Sequence, residues 1–338
     1  MRLRDDVIKG KTTTAYRRML NEGPLPIVGI WGATPHEAQL AEMMGFKNFG
    51  ISGASLSSNL LGLPDAGLLT LSELTDATRR VCNAVSIPVT VDCDTGFGNA
   101  INVIRTVTSI IQAGAASLFM EDQVAPKRCG FVKGKEIVSI EEAVGKYRAA
   151  CDIRDSLDPD FTISARTDAR GAVGGGMDEV LRRCEAYLRA GVNVLYVEAL
   201  QSREEIRTVR EAFPDALLQL SLFAITPPLS NEEKRQFRLC TDGSYVTQIA
   251  SVAMYDFLLR VREKGGEAFT DFIAATKDHP MSLFGDFNLT GFPKLLELEK
   301  RYLPLEAQDR YEKSLGMYDP RNNQTLKVTV VAPKEADK

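Results

Sequence analysis

Short apolar runs alternate with amphipathic segments along most of this chain, and this alternation constrains the fold more than any other feature. Strands that alternate with helices pair as a parallel sheet, because each helix carries the chain back across the sheet. Several of the runs are apolar throughout, as in strands that are covered on both faces. The eight candidate strands are Leu25–Trp31, Asn48–Ser52, Pro88–Cys93, Ser117–Glu121, Thr162–Arg166, Val194–Glu198, Leu217–Phe223 and Tyr245–Ile249. The pattern predicts an α/β fold, a (β/α)8 TIM barrel.

Residues that typically start and end helices lie between the apolar runs and support the same fold. A Ser or Thr followed three residues later by Glu is a helix-starting capping box. Such boxes occur at Thr70/Glu73, Ser139/Glu142, Ser202/Glu205 and Ser230/Glu233. Glycine suits the left-handed residue that ends a helix, and Gly45, Gly114 and Gly191 each stand just before a candidate strand. Helices are therefore expected to begin and end between the strands.

Chain length sets the domain organisation. The 338 residues exceed the ~250 of a bare barrel. We expect residues 1–250 to form the barrel, residues 251–318 to form C-terminal helices that complete it or swap onto a neighbour, and residues 319–338 to be a polar tail. That tail contains one β-prone run, Leu326–Val331, which could pair with another subunit.

Composition excludes several classes of function. A net charge of −4 with no large Lys/Arg cluster argues against nucleic acid. No apolar run approaches the ~20 residues of a membrane helix, and the N-terminal segment lacks the apolar core of a signal peptide, so a cytoplasmic protein is expected. The six cysteines show no CxxC spacing and the chain has two histidines, which argues against disulfides, zinc sites and a Ser-His-Asp triad.

Acidic residues end several of the apolar runs. In a parallel barrel the carboxyl ends of the strands form the catalytic face. Asp92 and Asp94 close strand three in VDCD and point the same way if the strand continues. The other residues are Asp65 after strand two, Glu121 and Asp122 after strand four, Arg166 and Asp168 after strand five, and Glu198 after strand six. Converging carboxylates favour a hard cation, so we expect Mg²⁺, with Mn²⁺ as an alternative; the other interpretation of any one carboxylate is that it caps a turn or pairs with a nearby cation.

The segment APKRCGFVKGK after strand four is a candidate catalytic loop. Its Cys129 lies beside Lys127 and Arg128, and cations lower the pKa of a thiol. The glycines would let the loop close over a ligand. Cys129 is therefore a candidate proton donor or acceptor, although a lone cysteine is also commonly an inert apolar residue. The other five cysteines fall in strand or helix patterns and are interpreted as structural.

Five motifs, in order, resemble those of the phosphoenolpyruvate mutase/isocitrate lyase superfamily. They are SGA with LGLPD (Ser52–Ala54 and Leu61–Asp65), VDCDTGFGN (Val91–Asn99), EDQVAPKRCG (Glu121–Gly130), ARTDA (Ala165–Ala169) and VEA (Val197–Ala199). The resemblance spans Leu25 to Thr247. It is strongest to the Cys-containing lyase branch, which includes methylisocitrate lyase and 2,3-dimethylmalate lyase.

The resemblance implies an assembly and a set of roles. The eighth helix would be exchanged between paired subunits in a homotetramer, a dimer of dimers. Asp92 would bind Mg²⁺ directly, and Asp65, Asp94 and Glu121 would hold its waters. The substrate's 2-oxo acid half would contact Asp92, Ser52, Gly53, Ala54 and Arg166. Glu198 and Arg128 would complete the catalytic set with Arg166 and Cys129, and Cys129 would be the general acid that protonates the departing carbanion.

Three departures from the family pattern concern the substrate. Phe131 replaces the usual His of KRCGH, and Gly50 replaces a common Tyr before the SGA motif. The usual Asn-x-Thr-Glu stretch of strand seven is Ser221-Leu222-Phe223-Ala224. A pocket bounded by Phe131, Ser221 and Phe223 would leave a distal carboxylate unpaired, at a cost of several kcal/mol. We therefore expect a substrate that is less polar than methylisocitrate.

The expected function is a Mg²⁺-dependent carbon–carbon lyase. It would cleave a 2-hydroxy or 2-oxo diacid into a 2-oxo acid, or oxalate, and a smaller carboxylate. A phosphonomutase of the carboxyphosphoenolpyruvate type keeps the cysteine and stays an alternative, whereas enzymes that act on phosphonopyruvate generally carry Asn at position 129. A catalytically silent barrel is a further alternative, because three polar groups are lost.

Overall fold

The computed structural model of the chain describes residues 11–23, 27–220, 225–243, 246–282 and 284–312, with the pairs 318–319 and 324–325. Residues 25 and 26 of the predicted first strand and residues 221–223 of the predicted seventh strand lie outside the described residues, as does the run Leu326–Val331.

Eight parallel strands form a closed barrel in sequence order, and the first strand pairs with the eighth. The strands are β1 (Ile27–Gly32), β2 (Phe49–Ile51), β3 (Val89–Asp92), β4 (Ser117–Glu121), β5 (Thr162–Thr167), β6 (Val194–Val197), β7 (Leu217–Leu220) and β8 (Leu239–Gly243). Most of these strand residues are buried, as expected where helices cover the outside of a barrel. The predicted (β/α)8 TIM barrel is confirmed.

The predicted eighth strand, Tyr245–Ile249, is wrong. The eighth strand is β8, and the segment from Val246 begins a long helix. β-branched residues in YVTQI favour a strand in isolation, but barrel closure depends on which segment reaches β1 and β7. Leu239 does so, since it pairs with both Ile27 and Gln219.

Helices connect the strands and continue beyond the last one. They are α1 (Thr12–Glu22), α2 (Pro35–Met43), α3 (Gly53–Leu56), α4 (Leu71–Ala84), α5 (Ala100–Gln112), α6 (Ile140–Leu157), α7 (Met177–Arg189), α8 (Arg203–Ala212), α9 (Asn231–Lys234), α10 (Val246–Lys264), α11 (Glu267–Thr276), α12 (Gly285–Thr290), α13 (Phe292–Tyr302) and α14 (Leu305–Glu312). A π-helical turn follows α3 at Ser57–Leu61, and two short strands, β9 (Tyr318–Asp319) and β10 (Gln324–Thr325), pair antiparallel.

The predicted helix ends are present. The side chains of Thr70, Ser139, Ser202 and Ser230 each accept a hydrogen bond from the backbone N–H three residues later. Gly45, Gly114 and Gly191 have φ values of 88°, 98° and 95°. Two capping boxes in the described part of the chain were not predicted: Thr34 with Glu37 starts α2, and Asn99 with Asn102 starts α5. Local sequence therefore positions the helices correctly around the barrel.

Helix α1 closes the amino-terminal end of the barrel. Its Tyr16 and Leu20 are fully buried in a cluster with the first interior residues of the strands, including Ile27 and Leu239. The Arg17 guanidinium donates hydrogen bonds to the carbonyls of residues 159, 160 and 161, just before β5. Because this end is filled, the opposite end is the one left for a pocket.

The described residues fall into two compact units. The first ends at Val252 and contains the barrel. The second begins at Ala253, within α10, and is helical through α14, with an aromatic contact of 5.5 Å between the ring centroids of Phe257 and Phe272. Of the helices that are described, none has the length and apolar character needed to cross a bilayer.

Candidate active site

The end of β3 meets the backbone that follows β2. Asp92 is buried; its Oδ2 accepts a hydrogen bond from Gly53 N at 3.1 Å and its Oδ1 accepts one from Asp94 N at 3.1 Å. Asp94 has a left-handed backbone, with φ at 46°, an uncommon conformation that clusters at functional sites. A Cβ on Gly53 would lie only 3.1 Å from oxygens of both aspartates. Glycine therefore allows the SGA segment to approach the two carboxylates.

Lys127 connects the loop after β4 to this carboxylate cluster. Its buried ammonium lies 2.5 Å from Asp65 Oδ1 and 3.0 Å from Asp94 Oδ1. Burial alone would lower the pKa of Lys127, but the surrounding carboxylates, Glu121 and Asp92 foremost, raise it overall. The lysine is therefore firmly protonated and joins two acidic residues that are far apart in sequence.

Glu121, at the end of β4, is buried with few partners. Neither of its carboxylate oxygens accepts a hydrogen bond from the described residues, although Arg166 Nε lies 3.3 Å from Oε2. Burial raises the pKa of Glu121 well above its ordinary value. Burial and the charge of Asp92 likewise raise the pKa of Asp94 to about 6, despite the neighbouring Lys127. The cluster thus holds more negative charge than its protein neighbours balance.

The donor set fits a divalent, oxygen-preferring cation. Six carboxylates gather here with three cationic side chains: Asp65, Asp92, Asp94, Glu121, Asp168 and Glu198 against Lys127, Lys135 and Arg166. Among the residues that the structure describes, no three acidic, His or Cys side chains are close enough to hold an ion together. Mg²⁺ binds through one or two carboxylates and keeps several waters, so it does not require such a trio. Glu121, whose oxygens accept no hydrogen bond from the described residues, and Asp92 and Asp94 are the groups that could hold the ion and its waters.

Arg166, on β5, is fixed beside the cluster. Its guanidinium donates two hydrogen bonds to Asp168, at 2.9 and 3.0 Å, and lies 3.9 Å from Glu198 Oε2. It also sits over the ring of Tyr196, 5.4 Å from the ring centroid. A planar guanidinium held in this way is pre-organised to bind a carboxylate.

A buried hydrogen-bond network around Asp122 holds the backbone of Asp168 in place. The carboxylate of Asp122 accepts hydrogen bonds from the Asp168 backbone N–H at 3.0 Å, Thr167 Oγ1 at 2.7 Å, Arg183 NH1 at 3.0 Å and Tyr187 OH at 2.6 Å. Burial raises the pKa of Asp122, whereas Tyr187 and Arg183 oppose that shift. This network determines where the end of β5, and hence Arg166, is positioned.

The loop after β4 is pinned across the pocket at several points. The side-chain amide of Gln123 bonds both the N–H and the carbonyl of Arg128, each at 2.9 Å. Val124 N donates to Glu136 O at 2.9 Å, which joins the two ends of the loop. Lys135 Nζ donates to Gly130 O at 2.7 Å and lies 3.1 Å from Asp168 Oδ1. The loop is thereby tied to the same aspartate that holds Arg166.

Cys129 lies half-buried on this loop and faces the pocket. Burial raises the pKa of its thiol, Asp65 raises it further, and Lys127 offsets this only in part. Lys127 lowers this pKa as expected, but burial and Asp65 outweigh it, so the net shift is upward. The charge of Lys127 is already shared by two aspartates, and the Arg128 side chain is exposed and lies near Gly134. A thiol that stays protonated is suited to donate a proton rather than to attack.

The pocket has a cavity of about 90 Å³ at the carboxyl ends of the strands. Of the predicted site residues, it is lined by Ser52, Ala54, Asp65, Asp92, Cys129, Phe131, Arg166 and Glu198. Gly53, Asp94 and Glu121 lie against these residues. Arg128 is not among the lining residues, and Ser221 and Phe223 lie outside the described part of the chain. The structure thus brings together most of the predicted set.

Lys127 and Gly130, which belong to the predicted catalytic loop, also line the pocket, and four further lining residues were not predicted: Trp31, Phe119, Tyr196 and Thr241. Phe119 and Tyr196 could have been found from the sequence. Side chains two apart on a strand point the same way. Phe119 stands two residues before Glu121, and Tyr196 two residues before Glu198, so both share the inner face of the barrel with these carboxylates. Trp31 and Thr241 could not be found in this way, because neither is followed two positions later by a charged residue.

A comparison with known families agrees with the fold. The sequence model of the phosphoenolpyruvate phosphomutase family matches residues 17–255. The chain therefore belongs to this family, within the phosphoenolpyruvate mutase/isocitrate lyase superfamily, and the predicted membership and enzyme class are confirmed.

Three characterised relatives show the range of the family. The chain is 38% identical to 2,3-dimethylmalate lyase of Eubacterium barkeri, over 79% of this chain and 91% of the relative. It is 42% identical to 2-methylisocitrate lyase of Escherichia coli K12, over 65% of this chain and 74% of the relative. It is 34% identical to the chloroplastic carboxyvinyl-carboxyphosphonate phosphorylmutase of Arabidopsis thaliana, over 86% of this chain and 84% of the relative.

Solved structures are similar over nearly their whole length. Crystalline 2,3-dimethylmalate lyase superposes with a TM-score of 0.78 at 26% identity, covering 91% of this chain and 99% of that one. Oxaloacetate acetylhydrolase bound to 3,3-difluorooxalacetate gives a TM-score of 0.78 at 27% identity, covering 87% and 98%. Phosphonopyruvate hydrolase in complex with oxalate and Mg²⁺ gives 0.76 at 31% identity, covering 87% and 100%.

Proposed function

We propose that the chain is a Mg²⁺-dependent carbon–carbon lyase. Its substrate would be a small 2-hydroxy diacid, and its products a 2-oxo acid of the pyruvate or glyoxylate type and a smaller carboxylate. An oxo diacid cleaved by water to oxalate is the variant of the same chemistry that the similarity to oxaloacetate acetylhydrolase supports. A cavity of about 90 Å³ suits an acid of only a few carbons.

One observation carries the proposal. A protonated thiol, Cys129, faces a pocket that also presents Asp92 and Arg166. A guanidinium and a carboxylate-bound cation are the groups that hold a 2-oxo acid, and a nearby acid completes a cleavage that leaves an electron pair on carbon.

The proposed cleavage balances as follows. The proton of the C2 hydroxyl passes to Glu198, which lines the pocket and whose Oε2 lies 3.9 Å from Arg166 NH2. The O–H electron pair forms the C2=O bond, and the C2–C3 bond breaks with its electrons left on C3, beside the departing carboxylate. The Cys129 thiol donates its proton to C3. Return of the proton from Glu198 through solvent restores the thiol.

The metal would be held by Asp92, with Asp65, Asp94 and Glu121 around it. Mg²⁺ supplies stabilisation of negative charge on the oxygens of the oxo acid, and Mn²⁺ has the same ligand preference. Arg166 orients the carboxylate of the oxo-acid half, and the backbone of Ser52 to Ala54 bounds the other side. Closure of the loop excludes water from the carbanion, which would otherwise be protonated without control.

The test is a coupled assay for release of pyruvate, glyoxylate or oxalate from a panel of substituted malates and oxaloacetate. We expect turnover that EDTA abolishes and Mg²⁺ or Mn²⁺ restores. Cys129→Ala should lower kcat by at least ~100-fold, the scale of one general acid, and Asp92→Ala should lower it at least as much because the metal would lose its direct ligand. Undiminished turnover by Cys129→Ala would refute the acid role, and no turnover of any acid would favour the silent barrel.

A phosphonomutase of the carboxyphosphoenolpyruvate type is the second candidate. The observation in its favour is the similarity, over most of the chain, to the phosphorylmutase from Arabidopsis. Phosphorus NMR of phosphonates incubated with the enzyme separates the two chemistries, because only the mutase moves phosphorus between oxygen and carbon.

For the assembly, we propose a homotetramer in which α10 is exchanged between paired subunits. The supporting observation is that α10 exposes large apolar side chains at Ile249, Val252, Met254, Tyr255 and Leu258, and an exposed apolar surface of this kind marks an interaction site. Light scattering after size exclusion tests the tetramer, and Leu258→Lys should give smaller species. Cytoplasmic location stays a prediction.

A further inference from the structure

Trp31 occupies the space that a side chain at position 50 would need. The two residues face each other on neighbouring strands, β1 and β2. A Cβ on Gly50 would lie 2.2 Å from Trp31 Cδ2, far inside any allowed contact. Two residues earlier on β1, a Cβ on Gly29 would lie 2.8 Å from Trp31 Nε1. Two glycines therefore form the space into which the indole packs.

The indole is one of three aromatic side chains on the inner side of the pocket. Trp31 and Phe119 meet edge to face, with centroids 5.7 Å apart, and Phe119 meets Tyr196 in the same way at 5.3 Å. All three are buried and line the cavity. The three rings thus form a continuous apolar part of the lining, next to the Arg166 guanidinium, which lies over the Tyr196 ring.

The tryptophan contributes its ring rather than a hydrogen bond. Trp31 Nε1 finds no acceptor among the described residues, and a buried N–H left unpaired costs about 1–3 kcal/mol. Phenylalanine or leucine would fill apolar space without that cost. What tryptophan adds is area, since an indole is the largest side chain available to cover two glycines.

We propose that Trp31 is the specificity-determining residue of this site, and that it limits the substrate to diacids whose substituents are hydrogen or small alkyl groups. A third carboxylate carried on a longer arm would meet an aromatic ring in place of a hydrogen-bond donor. The inference rests on the proposed lyase function for its substrate class, but the displacement of a side chain at position 50 by Trp31 is independent of it.

A double-variant cycle tests the packing. Gly50→Tyr alone should lower Tm by more than about 6 °C, because overpacking this space forces the indole to move. Trp31→Ala alone should lower Tm by leaving a cavity. The double variant should recover at least half of the loss seen with Gly50→Tyr. A double variant no more stable than Gly50→Tyr would overturn the proposal.

Substrate preference is the second measurement. We expect the wild type, with Mg²⁺, to prefer 2,3-dimethylmalate over 2-methylisocitrate in kcat/KM by at least ~100-fold, and Trp31→Ala to reduce that ratio at least ~10-fold. Phe161→Ala is the matched control, since Phe161 is buried outside the pocket, and it should leave the ratio unchanged. A ratio that stays within twofold in Trp31→Ala would refute the specificity role.

If the wild type cleaves no diacid, the lyase function fails and binding decides the inference. Trp31 is the single tryptophan of the chain, so its fluorescence reports on this pocket alone. Titration with oxalate and Mg²⁺ should change the emission at the concentration where calorimetry detects binding. Binding by calorimetry without a change in emission would show that Trp31 does not contact the occupied site.

Discussion

Lys135 is predicted to hold the catalytic loop over the pocket. Its ammonium is buried, donates to the loop carbonyl of Gly130 at 2.7 Å and lies 3.1 Å from Asp168. Lys135→Met keeps the apolar stem of the side chain and removes both contacts. Asp168 retains its two hydrogen bonds from Arg166, so the perturbation falls mainly on the loop.

The size of the effect follows from the lost contacts. A hydrogen bond to a charged group contributes about 1.5–3 kcal/mol when it is removed, which corresponds to about a 10- to 150-fold change in an equilibrium constant. If closure is required for turnover, kcat/KM of Lys135→Met should fall by a factor in this range. The same factor should appear in the opening equilibrium of the loop.

Hydrogen exchange measures that opening directly. The Val124 and Arg128 amides are bonded within the closed loop, each at 2.9 Å, and should exchange ~10-fold faster or more in the variant. Lys133→Met, two residues away and exposed, is the matched control and should behave as wild type. Loop amides that keep wild-type protection, with kcat/KM within twofold, would refute this role of Lys135.

Three further predictions concern single positions. Because burial and Asp65 raise the pKa of the Cys129 thiol, its alkylation by iodoacetamide should follow a pH curve displaced to higher pH than that of N-acetylcysteine; a curve displaced to lower pH would contradict the acid role. Gly130→Ala would place a Cβ 2.8 Å from Arg166 NH2 and should lower kcat/KM by about 100-fold, whereas Gly145→Ala, whose Cβ would meet only Ala100 Cβ at an ordinary 3.9 Å, should be silent in the same assay. Asp122→Asn removes a buried charge that four donors surround and should cost about 3–5 kcal/mol in urea unfolding. The exposed Asp76→Asn should cost no more than about 1 kcal/mol, and equal losses in the two variants would refute the Asp122 estimate.

The strand-end chemistry could be predicted because its signal is local. Asp92, Glu121, Arg166 and Glu198 each follow or end an apolar run, and barrel geometry alone places such residues on one face. The helix caps were predictable for the same reason, since a box spans only four residues. The location of strand β8 could not be predicted, because the choice between the segments LCTDG and YVTQI depends on which of them closes the barrel.

The loop and the pocket lining depended on contacts between distant residues. Sequence placed Lys127 beside Cys129 and therefore predicted a lowered thiol pKa. In the folded chain Lys127 is engaged by Asp65 and Asp94, and burial together with Asp65 outweighs its effect, so the pKa of the thiol is raised overall. Gly50 likewise looked like a lost side chain, whereas the structure fills its space from Trp31 on the adjacent strand. A single sequence contains no signal for either pairing.

These contacts imply that loop closure assembles the site in one step. Lys127 brings a cation to Asp65 and Asp94, Cys129 brings a protonated thiol, and Lys135 joins the loop to the aspartate that holds Arg166. All three lie within nine residues of the same loop, so they cannot be placed independently. An open loop would leave Asp65 and Asp94 without this ammonium and the pocket without the Cys129 thiol. For the proposed lyase, we therefore infer that bond cleavage would be confined to the closed form, in which the carbanion and the Cys129 thiol would be enclosed together.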